Sequence, residues 1–377
     1  MRILFLPLAN VLGHLARSLA LAEEFNAQGD DVSVAMGGCY SRIMKVLSPT
    51  IRVLNTTQMY SSVVRSFGPI KHYPETTVND LENLENCALK DEVEIQRRTR
   101  RMKLMVKQDA EIVNHIQPDA IVTDYRFTTP FLSEQFRRRV FHISNILGYP
   151  SFCSRVTGKY PPPLNSGHIL VPGIKDIEYS GCAPDRALRG RETMCGPFYW
   201  RGWGRIQSDA PSPPPSHVFL SFGSTGNYNR VVPWLLQTIP KRLSVSAIAS
   251  SLSASGRRNA FFSSLGELRI YLDQADVVFC HGGHGTVMEC IRQQTPMAIF
   301  PNNLEQLEIG RRIQELQLGV LVDRPLDQLS STDLDGIYQD LNTNKRIHNN
   351  LCKYAALLRI HDSEKIAVSA VRDIVAD

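Results

Sequence analysis

Arg2–Met36 reads RILFLPLANVLGHLARSLALAEEFNAQGDDVSVAM, and its hydrophobic period changes twice. RILFL is a continuous apolar run of strand length, after which a loop reaches Gly13-His14. LARSLALAEEFNAQG then spaces its apolar residues as a helix does, Gly29 closes that helix, and DVSVAM opens a second strand. Strand, loop, helix and strand in that order predict a βαβ unit, and therefore a parallel sheet.

The alternation continues outward from this opening. DEVEIQRRTRRMKLMVKQDAEIVNHI reads as a long helix that passes through Pro118 into DAIVTD, an apolar run ending at Asp124; helical FLSEQFRRR then returns to VFHIS. Between about 150 and 205 the pattern dissolves into Pro, Gly, Cys and aromatic residues, and Ser212-Pro213-Pro214-Pro215-Ser216 makes a stiff, extended spacer. HVFLSFGS restarts the alternation, which runs through NRVVPWLLQTI, VSAIAS, NAFFSS, ELRIYLDQ, DVVFC, VMECIRQQ, PMAIF and LEQLEIGRRIQELQ to GVLV. The expected organisation is a domain over 1–205, a linker over 206–216, a second domain over 217–360 and a helix over 361–377 that packs back on the body. That helix places Ile366, Ala370, Val371, Ile374 and Val375 on one apolar face. The fold class is α/β, two facing Rossmann-like doubly wound parallel sheets with a cleft between them. Ligands of such sheets bind outside the carboxyl ends of the strands, so the loops after FLPL, IVTD, SFG, CHGG and AIFP are where chemistry belongs.

At 377 residues the chain is long for one core, and its composition is that of an ordinary globular protein. A net charge of +5 falls short of a nucleic-acid-binding domain. Pro7 and Asn10 interrupt the first apolar run and no basic segment precedes it, so it reads as a strand rather than a signal peptide. No run reaches the length of a membrane span. The eight cysteines are scattered without CxxC pairs, which points to reduced thiols and a cytoplasmic location. Arg97, Arg98, Arg100, Arg101 and Lys103, with Arg137, Arg138 and Arg139, read as solvated helix faces or as a contact for an acidic acceptor or an anionic membrane surface.

Cys280–Cys290, CHGGHGTVMEC, has two readings. As a metal site it lacks the second closely spaced ligand pair of a structural zinc centre. As a turn between strand and helix it offers Gly282, Gly283 and Gly285, whose backbone amides can approach a ligand closely, and a helix beginning at Thr286 with its positive end outward, which suits a diphosphate. Ser221–Gly226, SFGSTG, makes a second small-residue turn on the same rim. Pro301–Gln306, PNNLEQ, sets a carboxylate beside an amide, as vicinal hydroxyls require.

SFGSTG, HGGHGTVMEC about 60 residues later and PNNLEQ together resemble the nucleotide-sugar half of glycosyltransferases with the two-domain GT-B fold. The similarity is to the family 1 enzymes acting on natural products, with the family that glycosylates a lipid-linked cell-wall precursor as a cousin. GHLARSLALAEEFNAQGDDVSVA, QPDAIVTD, VPGI and CGPF extend the resemblance in order along the chain. It implies that His281, Gly283, Gly285 and Thr286 hold the donor diphosphate, with Ser224 and Thr225 on its other side. Glu289 would hold the ribose, and Glu305 and Gln306 the sugar. On the acceptor side it implies a loop at Gly13, His14 as general base and Asp124 as its orienting partner; an imidazole titrates near neutrality and a carboxylate fixes its tautomer.

The expected activity is an inverting, metal-independent transfer, without cofactor, from a UDP- or dTDP-sugar to a hydroxyl or amine of a small-molecule acceptor of secondary metabolism. Glu289 has Met297 eight residues on, where retaining members carry a second glutamate. Glu305 replaces the family's usual aspartate, Ile309-Gly310 its usual Asn-Ala, and GHLAR lacks its proline. A nucleotide-sugar epimerase of the same fold and a non-catalytic nucleotide-sugar-binding subunit are the alternatives.

Overall fold

The computed structural model describes residues 1–8, 12–36, 48–56, 92–126, 128–129, 132, 136, 139–145, 167–179, 191–202, 217–222, 228–248, 260–263, 268–302 and 304–376. These fall into two compact units, the first within Met1–Gly68, Ala88–Gly202 and His361–Asp377, the second within Trp203–Ile360.

In the first unit β1 (Arg2–Pro7), α1 (Leu12–Ala27) and β2 (Asp31–Met36) form the expected βαβ element. They are followed by β3 (Arg52–Asn55), α2 (Glu92–Ile116), β4 (Ala120–Asp124), β5 (Val140–Ile143), β6 (His168–Val171), α3 (Lys175–Glu178) and β7 (Glu192–Met194). The strands pair in parallel in the order β3-β2-β1-β4-β5-β6-β7. Ile3, Leu4, Phe5 and Leu6 are all fully buried, as a strand covered on both faces must be; this is why β1 reads as an unbroken apolar run rather than an alternating one. Phe25 of α1 lies edge-on to Phe5, and Leu15, Leu19 and Ala22 fill the same layer.

The second unit contains β8 (His217–Ser221), α4 (Tyr228–Thr238), β9 (Ser244–Ile248), β10 (Ala260–Ser263), α5 (Leu268–Gln274), β11 (Val277–Cys280), α6 (His284–Gln293), β12 (Met297–Ile299), α7 (Leu304–Glu315), β13 (Gly319–Leu321), α8 (Ser331–Thr343) and α9 (Lys345–Arg359). Its strand order is β10-β9-β8-β11-β12-β13, again all parallel. Both sheets therefore reverse their direction of growth at one place, between β1 and β4 in the first and between β8 and β11 in the second. There the carboxyl ends meet in register: Pro7 opposite Asp124, and Ser221 opposite Cys280. Loops leaving adjacent strands diverge at such a point and open a crevice.

Several expectations change. The stretch 150–205 is not without pattern, since HILV is β6, paired between β5 and β7, and ETM is the edge strand β7. The final helix, α10 (Ser363–Ala376), buries Ser363, Ala367, Val368 and Val371, while Ile366, Ala370, Ile374 and Val375 are only half-buried. Its inward stripe is rotated from the expected face, because Arg372 is drawn to Asp30 at 2.8 Å and Glu364 to the Tyr199 N–H at 2.8 Å. The expected linker lies outside the described residues.

Candidate active site

At the first crevice His14 occupies the first turn of α1, half-buried, and Asp124 ends β4 with no exposure at all. Residues 110 apart in sequence thus meet, His14 Nδ1 standing 2.8 Å from Asp124 Oδ1. Arg17 lies one helical turn after His14 and forks onto the same carboxylate, Nε to Oδ2 and Nη2 to Oδ1, both at 2.5 Å. Its Nη2 is also 2.8 Å from His14 Nδ1, and the Ser18 hydroxyl donates to Oδ2 at 3.3 Å. Burial would raise the Asp124 carboxyl, but Arg17 and then His14 outweigh it and hold the group below the ordinary carboxylate range. Tyr125 follows in a left-handed conformation, φ 50°, that sets its ring 4.6 Å from the imidazole; a non-glycine residue in that region costs energy, and here the cost serves ring placement.

A buried clamp lies behind this group. Arg126 sends Nε and Nη2 to Asp109 at 3.1 and 2.6 Å and Nη1 to the Pro7 carbonyl at 3.2 Å, while Thr128 Oγ1 donates to Asp109 at 2.6 Å. The pair ties α2 and the loop after β4 to the end of β1, so the strand ends carrying the site share one rigid support. Arg17, Tyr125, Arg126 and Asp109 all went unnoticed in the sequence. Arg17 had a signal, since residues three apart share a helix face; the others depend on tertiary contact.

At the second crevice the glycine loop joins β11 to α6. Gly282 takes φ 82°, and a Cβ there would come within 2.7 Å of Ile299 Cγ2, so only glycine fits. The helix begins at His284, two residues before the expected Thr286, with Gly283 as an N-cap that supplies no side-chain hydrogen bond. Its first-turn N–H groups and dipole form an anion-attracting end. His281 sits beside it, its Nε2 near the outward side of Gly283 and its Nδ1 3.1 Å from the Ser221 carbonyl. A carbonyl only accepts, so Nδ1 carries the hydrogen and Nε2 of the neutral ring holds a lone pair. Burial holds this imidazole below its ordinary range, with the Ser221 carbonyl and Glu305 pulling the other way.

The remaining donor-side residues are placed unequally. Thr286 lies in the first turn of α6, its hydroxyl 3.4 Å from Ser221 Oγ. Glu289 is held along its own helix by Arg292, in contact through both nitrogens, and by Gln293 Nε2 at 3.2 Å. Its carboxylate retains lone pairs to accept ribose hydroxyls. Gln306 is turned into its own loop, Oε1 accepting the Asn302 N–H at 2.8 Å, so it has a structural task besides the sugar contact expected of it. Glu305 opens α7 on the side of His281. Gly13 is exposed in the first turn of α1. Ser224 and Thr225 lie outside the described residues, as do the side chains of Arg97, Arg98, Arg100, Arg101, Arg137 and Arg138; Lys103 and Arg139 are exposed.

The metal reading of CHGGHGTVMEC has no support here. Cys280 and Cys290 are fully buried, burial pushing the first thiol up to about 12 and the second well above its usual value. Among the described residues no group of His, Cys, Asp or Glu is placed to hold a metal ion. No helix among them is long and apolar enough to cross a membrane.

Known proteins share this fold. The whole chain superposes on a solved glycotransferase of kitacinnamycin, 15% identical, with a TM-score of 0.71 and 99% of each chain covered. It does so too on CalG4, the calicheamicin glycosyltransferase, 16% identical, TM-score 0.68, covering 100% of this chain and 98% of that one. This is the GT-B glycosyltransferase fold. Another GT-B structure, the glycosyltransferase SnogD from Streptomyces nogalater, is 13% identical with a TM-score of 0.66 over 99% of each chain. The model of the glycosyltransferase family 28 C-terminal domain matches residues 255–309, which carry β11, the glycine loop and α6 of the second GT-B unit. A PGL/p-HBAD biosynthesis glycosyltransferase of Mycobacterium tuberculosis is 23% identical over 379 residues, or 85% of this chain and 80% of that protein. Domain match, relative and solved structures agree on sugar transfer as the class of activity.

Proposed function

We propose that the protein is an inverting, metal-independent glycosyltransferase that moves a sugar from a UDP- or dTDP-sugar to a hydroxyl or amine of a small natural-product acceptor, in the cytosol. The observation that carries the reading is the contact of His14 Nδ1 with Asp124 Oδ1 at 2.8 Å. With Nδ1–H donated to the carboxylate, Nε2 presents a lone pair that can take the acceptor's proton as its oxygen or nitrogen attacks the anomeric carbon, and Asp124 stabilises the imidazolium that forms. The carbon–oxygen bond to the diphosphate breaks on the opposite face, which inverts the anomeric centre. The departing charge is met by His281, by the amides at Gly283, Gly285 and Thr286, and by the N-terminus of α6; such preorganised donors act without reorganising as charge develops. Glu289 for the ribose and Glu305 with Gln306 for the sugar complete the donor side, with Ser224 and Thr225 across the phosphates.

Natural-product acceptors are supported by the kitacinnamycin and calicheamicin enzymes among the solved neighbours. The deciding experiment incubates the protein with UDP-glucose, dTDP-glucose or dTDP-rhamnose, with and without a panel of hydroxylated aromatic and macrolide acceptors. Acceptor-dependent release of nucleoside diphosphate with inversion at the anomeric carbon is expected. Isomerisation of the donor alone would identify an epimerase instead, and binding without turnover of any pair a non-catalytic subunit.

A further inference from the structure

The His14–Asp124 contact is not a simple pair. Arg17 Nη2, His14 Nδ1 and Asp124 Oδ1 form a triangle with edges of 2.5, 2.8 and 2.8 Å. Three polar atoms at such distances cannot all be satisfied. When Nδ1 carries the hydrogen and donates to Oδ1, two donors, Nη2 and Nδ1, face each other along one edge. When Nδ1 is bare, Nη2 can donate to it, but then two acceptors, Nδ1 and Oδ1, face each other along another. Each tautomer of the imidazole therefore has one repulsive contact. Only the first leaves a lone pair on Nε2; in the second Nε2–H is no base.

We propose that Arg17 is a positioning residue for the transfer, fixing both oxygens of Asp124 while competing with that carboxylate for Nδ1 of His14, and so setting the tautomer and the proton affinity of the base. The inference rests on the reading of His14 as the base. Among the described residues the groups facing the ring are Asp124 and Tyr125 from the end of β4 and Arg17 from its own helix. Arg17 is the cation among them, and it adds to the positive end of α1, in whose first turn His14 lies. Both oppose a charge on the imidazole. The guanidinium is itself nearly buried, lies over the Tyr125 ring at 5.9 Å and is anchored by two hydrogen bonds, so it cannot swing away as a surface arginine would. The consequence for function is a base whose Nδ1 is contested by guanidinium and carboxylate rather than held by the carboxylate alone, with an imidazolium less stabilised during transfer.

Histidine-labelled full-length protein tests this by nitrogen-15 NMR, with the His14 signals identified by their loss in His14→Gln. In the wild type at neutral pH, Nδ1 of His14 is expected between the fully protonated and fully bare limits. In Arg17→Gln the titration of His14 moves upward by about one pH unit or more, and Nδ1 moves to the protonated limit. Arg17→Lys keeps the charge but loses the fork; it restores most of the titration while kcat stays about tenfold to a hundredfold low. Where turnover is measured, with UDP-glucose or dTDP-sugars and 4-methylumbelliferone as acceptor probe, the acidic limb of kcat/KM follows the NMR shift. Unchanged His14 titration in a folded Arg17→Gln protein overturns the proposal; should that variant not fold, a wild-type Nδ1 already at the protonated limit does so. The NMR readings need no turnover, so a protein that shows them but transfers no sugar would refute the function without refuting the coupling.

Discussion

The two units share one strand order about their central strands, yet their switch points hold opposite chemistry. Asp124 and Cys280 occupy equivalent places, each ending the strand across the reversal. In the first unit that place carries a buried carboxylate surrounded by an arginine, a histidine and a hydroxyl. In the second it carries a buried, protonated thiol, and the work passes to the backbone of the glycine loop that follows. A proton-transfer site needs side chains at fixed distances, so the first crevice is polar inside and clamped from behind. An anion site needs exposed N–H groups and a dipole, and the second offers a glycine loop at the N-terminus of α6. In the proposed mechanism one topology serves a base at one crevice and an electrophile's leaving group at the other.

The comparison breaks most plainly at the base. His14→Ala should lower kcat by about 10²–10⁴-fold and leave donor affinity, a property of the second unit, within about twofold; calorimetry beside steady-state kinetics checks both, and a parallel loss of donor affinity would end the division of labour. The buried clamp comes next. Asp109→Ala takes the carboxylate away from the buried, charged Arg126 and should destabilise the protein by about 3–5 kcal/mol, with hydrogen exchange accelerating in peptides of the first unit and not of the second. Gly282→Ala is the counterpart in the second unit: strain at φ 82° and the approach to Ile299 should cost about 1–3 kcal/mol, and donor affinity should fall while the pH dependence of the base is unchanged.

The smallest effect concerns His281. To donate to a phosphate oxygen, its Nε2 must gain a proton that burial discourages in the empty site. Donor binding should then take up a proton, so affinity falls as pH rises through the window from the lowered value of the empty site to the higher value of the complex, by at most about tenfold per pH unit. A nucleotide sugar is the right probe, since its diphosphate does not titrate near neutrality. Calorimetry in buffers of different ionisation enthalpy reads the proton directly, and His281→Gln should abolish the uptake while retaining a neutral donor; uptake that survives the substitution would place the proton elsewhere.

Both sheets were legible because parallel strands are buried on both faces and helices have a period: RILFL, DAIVTD, HVFLS and DVVFC announce themselves. The last two strands of the first sheet did not, because HILV and ETM are four and three residues long and embedded among glycines and prolines. Helices α8 and α9 were passed over although Ser330 and Asp333 form a capping box at the start of α8. Of the candidate site, the glycine loop was readable from composition, since only glycine tolerates its backbone. The pairing of His14 with Asp124 was implied by the family resemblance, and both residues stand at strand ends on one rim. The arginine fork between them did not, because it is a matter of ångströms: one helical turn puts Arg17 near His14, but nothing in the spacing says that both reach one carboxylate.

The last helix has a consequence for how the molecule comes into being. Apart from this helix, the chain has made the first unit's described elements before it reaches β8, but α10 belongs to that first unit and packs on α1, where Arg372 reaches Asp30, which also holds the amino terminus of Met1 at 2.6 Å. During synthesis the second unit can be finished while the first, begun earlier, still waits for its final piece. The first unit's earliest elements are among the last to be completed, and Met1 and Arg372 are fastened through one aspartate, Asp30.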